Sequence, residues 1–140
     1  MLAYPRAMSQ ENVDLVRQML SAFNSEDIER VLALTHRDLV IEIPPSVSAE
    51  PDTYRGHEGM RRYFQSFREA MYEIRFEPEV LRDAGEAVVV SLRLTARGRQ
   101  TGILVEQQNA GVWTISDGKL IGACTYPSMS DALKAVGMAE

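Results

Sequence analysis

A proton-transfer site needs a base within hydrogen-bond reach of an acidic carbon and a donor for the oxyanion that develops. Glu42 is the candidate base, because it interrupts an apolar run, Leu39-Val40-Ile41-Glu42-Ile43, that reads as a short strand ended by Pro44-Pro45. Strict alternation puts Leu39, Ile41 and Ile43 on one side and Glu42 with Val40 on the other. The carboxylate is then either solvated or aimed into a second, partly buried space, and solvation is the cheaper state because a buried unpaired carboxylate is costly. Tyr126 or Tyr54 would be the matching donor. Asn109 and Tyr126 form a second candidate pair, suited to orienting a carbonyl or hydroxyl on a flat apolar ligand, with Trp113 as the stacking surface. No catalytic residue is assigned.

The remaining reactive side chains have simpler explanations. Cys124 is the only cysteine and falls inside a strand pattern, where a free cysteine is usually a small hydrophobe. His36 is placed near a helix C-terminus, where the helix dipole accounts for it. His57 stands at a helix start, at the rim of any cavity, with no second histidine or cysteine cluster nearby, so no metal site is expected. Gly56-His57-Glu58-Gly59 lacks the Gly-Lys-Ser continuation of a phosphate loop, and no cofactor is expected.

The element that must position Asn109, Trp113 and Tyr126 is a hairpin over 101–127. Asp117-Gly118 between alternating apolar residues signals a type I′ turn, which needs φ > 0 at both central positions. In the resulting register Ser116 faces Lys119, Ile115 faces Leu120, Trp113 faces Gly122, Gly111 faces Cys124 and Asn109 faces Tyr126. Asn109, Trp113 and Tyr126 then share one face. At about 3.3 Å per residue the first run is too long for a flat strand, so it is expected to bend at Asn109-Ala110-Gly111 and make the sheet concave.

Around the hairpin the pattern gives α-α-β-α-β-β-β-β-α. Ser9 would cap a first helix with Val13, Val16, Leu20 and Phe23 as its apolar stripe; Ser25 would cap a shorter second helix reaching His36. Residues 46–55 read as a loop, the kind of segment that forms lids. Gly56 opens a third helix with Met60, Tyr63, Phe64, Phe67 and Met71 at helical spacing. Two strands, 75–81 and 87–96, follow, joined by Asp83-Ala84-Gly85-Glu86. Ser128 with Asp131 resembles a capping box for a last helix that Gly137 stops. Helices first and strands later imply an α+β fold with helices on one face of an antiparallel sheet.

At 140 residues and 45% hydrophobic, the chain suits one domain over 9–140 after a flexible N-terminus, 1–8. The net charge of −5 gives no reason to approach nucleic acid or an anionic membrane. No apolar run has the length of a membrane span, residues 1–8 lack a signal-peptide core, and the lone cysteine suits a reducing cytoplasm.

Four stretches, AFNSEDIERVLAL, YRGHEGMRRYFQSF, VWTISDGKL and DALKAVG, resemble in order and spacing the SnoaL-like branch of the nuclear transport factor 2 superfamily. This resemblance implies the cone fold shared with ketosteroid isomerase, scytalone dehydratase and limonene epoxide hydrolase: a strongly curved antiparallel sheet wrapped around the long third helix, enclosing an apolar pocket. It also implies homodimers through the back of the sheet. Near the implied pocket stand Glu42, Tyr54, Tyr63, Asn109, Trp113 and Tyr126. Gly111 and Ser128 occupy positions where relatives often carry a histidine and an aspartate. The leading expectation is binding of a small hydrophobic or aromatic metabolite. The alternatives are a cofactor-independent isomerase, polyketide cyclase or dehydratase with Glu42 as base, and a non-catalytic interaction module whose interface includes Val112, Thr114, Ile121 and Ala123.

Overall fold

The stripe at positions 13, 16, 20 and 23 becomes one face of a helix. In the computed structural model, which describes residues 6–45 and 52–138 with side chains from residue 10 onward, this is α1 (Arg6–Asn24), burying Val16, Met19, Leu20 and Phe23. Ser9 lies inside the helix and not at its cap. Of the expected flexible N-terminus, residues 1–5 fall outside the described residues and 6–8 are helical. The second helix, α2 (Ile28–Ala33), is capped by Asp27 and not Ser25: the Asp27 carboxylate accepts the Arg30 N–H at 3.2 Å. Because α2 ends at Ala33, His36 belongs to β1 (Thr35–Ile43), where its Nδ1 accepts the Asp38 N–H at 3.0 Å. The helix dipole therefore does not account for His36, which is a strand residue.

Part of the expected loop is a strand, β2 (Asp52–Arg55), paired antiparallel with β1; residues 46–51 fall outside the described residues. Arg62 secures β2 by bonding the Asp52 carboxylate at 3.1 Å, and it holds that carboxyl below the usual range with help from the Thr53 N–H. Arg62 lies on α3 (Gly56–Ala70), the long helix, which Gly56 opens at φ +66 and whose Met60 and Phe64 are fully or nearly fully buried. Gly59 permits a close approach: a Cβ there would stand 2.8 Å from the Tyr54 carbonyl carbon, so a larger residue would push β2 away.

β3 (Met71–Asp83), β4 (Ala87–Gly98), β5 (Leu104–Ser116) and β6 (Lys119–Tyr126) complete a six-stranded curved sheet in the order β2-β1-β6-β5-β4-β3. Pairing is antiparallel except between β1 and β6, which run parallel. The α+β architecture is as expected, with β2 added. The last helix, α4 (Met129–Ala135), is capped by Ser128, whose Oγ accepts the Asp131 N–H and donates to the Asp131 carboxylate at 3.0 Å, and it ends at Gly137 with φ +77.

The hairpin turn has the expected geometry, with φ +52 at Asp117 and +73 at Gly118. Its register changes sooner than expected. β5 runs unbroken through Asn109-Ala110-Gly111 along β4, and the irregularity lies opposite, where Ile121 is an extra residue between the Ile115–Leu120 and Thr114–Gly122 pairs. Beyond this bulge Trp113 faces Ala123, Gly111 faces Thr125 and Ala110 faces Tyr126. Further register shifts at Tyr72/Arg75 and Pro78/Val80 in β3 add to the curvature.

The main core lies between α1, α2, α3 and the concave face; Val16, Val31, Met19 and Met60 are essentially inaccessible there, and each such side chain contributes about 1.5–3 kcal/mol by burial. A smaller core on the convex face packs Ala132 and Leu133 of α4 on Val89, Ala110 and Val112. The predicted interface set is thereby divided: Val112 is under α4, while Ala123 belongs to the concave face. No described helix is long and apolar enough to cross a membrane.

Candidate functional site

The concave face encloses a cavity of about 290 Å³. The pleat explains its walls: Leu92 and Leu94 on β4 point the same way as their partners Asn109 and Gln107 on β5, and Gly111 and Trp113 continue that face. Thr125 and Ala123 supply the β6 wall, and Ile41 with Ile43 the β1 wall. Tyr54 on β2 and Phe76 on β3 close the two ends of the sheet wall, and Tyr63 and Phe67 of α3 close the cavity from the helical side.

The two tyrosines are held by ring packing. Tyr54 and Tyr63 meet edge to face at 5.1 Å, and the Arg62 guanidinium lies 4.4 Å from the centre of the Tyr54 ring. Tyr63 also packs edge-on against Phe67 at 5.0 Å and Phe23 at 6.1 Å. Burial pushes the Tyr63 phenol well above its ordinary value, with the neighbouring Tyr54 adding to the effect, so the hydroxyl stays protonated and able to donate.

Of the expected site residues, Tyr54, Tyr63, Asn109 and Trp113 converge on this cavity. Glu42 and Tyr126 do not. Glu42 is exposed beside Thr53 and Cys124, on the side of β1 opposite Ile41. The Ile121 bulge moves Tyr126 to the convex face, where it packs among Val89, Ala110, Val112 and Leu133. Its phenol is raised by burial first, then by the Cys124 thiol and the Glu42 charge, so the three groups neighbour one another; Cys124 also borders the cavity, while its β-pairing opposite Val112 puts it on the other side of β6 from Ala123. The expected pairing of Asn109 with Tyr126 is therefore corrected. His57 bonds the Thr35 carbonyl oxygen through Nε2 at 2.9 Å, tying the start of α3 to β1.

Gln107, Thr125, Phe76, Leu92 and Leu94 were not singled out by sequence. Gln107 was accessible to simple reasoning, since it lies two residues before Asn109 and shares its face. Thr125 was hidden by the bulge. Among the described lining residues there is no carboxylate and no imidazole, and no described group of three or more histidine, cysteine, aspartate or glutamate residues converges as a metal site would.

A curved sheet closed by a long helix around such a cavity defines a class of fold, and sequence comparison places the chain within it. Residues 16–123 match the SnoaL-like domain family, and the chain belongs to that family. No curated protein matches it in sequence. Among solved structures it is similar to an NTF2-like protein of unknown function from Burkholderia pseudomallei K96243, at 20% identity over 91% of this chain and 98% of that one, TM-score 0.73. A putative SnoaL-like polyketide cyclase from Jannaschia sp. CCS1 superposes with TM-score 0.73 at 15% identity, covering 94% of each chain. TerC co-crystallised with polyporic acid superposes with TM-score 0.71 at 19% identity, over 90% of this chain and 98% of that one. At these identities the structural likenesses establish the fold alone.

Proposed function

We propose that the protein binds a compact, flat, largely apolar metabolite in the cone, gripping it by shape and a few hydrogen bonds. The observation that carries this reading is the lining itself: Trp113, Tyr54, Tyr63 and aliphatic side chains around the amides of Asn109 and Gln107, with no carboxylate or imidazole among the described lining residues. A 290 Å³ cavity is near the small end of ligand sites, and at interior packing density it accepts about 200 Å³ of ligand, roughly two or three fused six-membered rings. TerC, which shares this fold, was co-crystallised with polyporic acid, and this supports a small-molecule role for the present chain. The proton-transfer alternative loses its base, because Glu42 is solvated on the convex side.

Trp113 is the only tryptophan and lines the cavity, so its emission reports occupancy. Titration with naphthols, hydroxycoumarins and anthraquinones should shift that emission and raise the thermal midpoint for at least one class. Asn109→Ala and Tyr63→Phe should each weaken binding up to about tenfold, the worth of one hydrogen bond. If no compound changes either signal, the reading is lost.

A further inference from the structure

A second cavity of about 220 Å³ lies behind the cone, at the junction of α1, α3 and β3, with Ile74, Met71 and Phe64 among its walls and Arg68 and Arg99 at its rim. The two spaces are back to back. Phe67 and Phe76 line both of them, and Phe76 also lines a void of about 30 Å³ beneath Trp113. The wall between the chambers is thus a few aromatic rings: Phe76 packs edge to face on Phe67 at 5.3 Å and on Phe23 at 5.6 Å.

The wall is held in place by its backbone. Asn24, at the end of α1, accepts the Phe76 N–H at 2.7 Å and donates to the Phe76 carbonyl oxygen at 2.9 Å, as a neighbouring strand would. Just before it the β3 ladder is interrupted between Tyr72 and Arg75, and Glu73 takes φ +53, a conformation non-glycine residues rarely adopt. Clamp and bulge together set where the Phe76 ring projects. Edge-to-face contacts on both sides leave it no alternative position without displacing Phe23 or Phe67.

From this geometry we infer that Phe76 is the specificity-determining back wall of the cone: it sets the length of ligand accepted, and the chamber behind it is a latent tail site for an unbranched apolar chain. The inference rests on the binding function proposed above and names its substrate class further, as compact ring systems without a long tail. Removing the ring joins the cone to a space of comparable size, apolar along Phe64, Met71 and Ile74 and charged where Glu26, Glu73, Arg68 and Arg99 border it. Elongated amphiphiles, with a phenolic head among Tyr63 and Asn109 and a tail past Phe67, then become ligands.

A series of para-alkylphenols with tails from methyl to decyl tests this by calorimetry. Each added methylene should tighten wild-type binding about fourfold until the tail meets Phe76, after which affinity falls. In Phe76→Ala the break should move several carbons later, with octylphenol or nonylphenol binding at least tenfold tighter than to wild type. Phe67→Ala opens the same wall from the helix and should shift the break in the same direction, should Phe76→Ala fold poorly. Adding Ile74→Trp to either variant narrows the far chamber and should move the break back toward its wild-type position, which a merely structural role for Phe76 would not produce. The same break in wild type and both wall variants overturns this inference while leaving the binding function standing. Absence of binding of every phenol by all the proteins overturns both.

Discussion

Gly111 and Trp113 sit two residues apart on the cavity wall, and the glycine leaves open space in front of that wall. A Cβ at Gly111 would lie 3.5 Å from Trp113 Nε1 and 3.8 Å from the Cys124 carbonyl oxygen, ordinary contact distances. Gly111→Ala should therefore fold normally and gain up to about 0.5 kcal/mol from a less flexible unfolded chain. Gly111→Leu should also fold but fill the cavity, lowering affinity at least tenfold in a Trp113 emission titration. Tyr63 carries a different prediction. Its proton is held more tightly in the folded chain than in the unfolded one, so its contribution is complete below the ordinary phenol value of 10.0 and is lost as pH rises above it. Denaturation in urea should show stability falling above about pH 10, and Tyr63→Phe should flatten that fall. Tyr63 and Trp113 were legible in the sequence because a helical stripe and a strand alternation fix their faces locally. Glu42 was left between two faces by the same rule, and only the pairing of β1 with β6 decides that it faces out.

The elements were legible where the local signal is strong and lost where a partner decides. Asp117-Gly118, the Ser128 cap and the Gly137 stop follow from backbone chemistry within a few residues. By contrast β2 has no apolar alternation; it is a strand because β1 offers a ladder and Arg62 of α3 reaches Asp52 and Thr53. His36 was assigned to a helix that Leu34 already ends, since the continuation into β1 depends on pairing with distant β6. The Asn24 side chain is a comparable long-range device, joining the end of α1 to mid-β3. Asn24→Ala removes both of its bonds to Phe76 and leaves backbone groups partly buried without partners. A loss of about 1–3 kcal/mol is expected in urea denaturation, with faster amide exchange at Phe76. An unchanged midpoint would show that the clamp is dispensable.

For the whole molecule the convex face is the largest surface outside the cone that bears on assembly. α4 covers one end of it, and the rest of β3 to β5 carries cross-strand pairs, Arg93 with Glu106, Gln108 with Glu79 and, along β3, Arg75 with Glu77 at 3.1 Å. Homodimerisation through this surface remains a proposal, and its charge makes the proposal specific. A two-fold contact built on exposed ion pairs would be screened by salt, since the Debye length falls from about 10 Å at 0.1 M to about 3 Å at 1 M. Light scattering should find a dimer at low ionic strength whose dissociation constant rises with sodium chloride. A monomer throughout, or a dimer indifferent to salt, would count against this surface.

The extra residue at Ile121 has a consequence for how such a scaffold acquires reactivity. Everything from Gly122 to Tyr126 keeps its side because one residue upstream is skipped by the ladder. A ladder without the bulge would set Ile121 opposite Thr114 and rephase that segment by one residue, turning the Cys124 and Tyr126 side chains inward and those of Ala123 and Thr125 outward. A thiol and a phenol would enter the cone without any substitution at either position. For this fold, the opening or closing of a bulge in a strand is a route between a passive container and a site with a nucleophile, one that comparing residue identities column by column would miss.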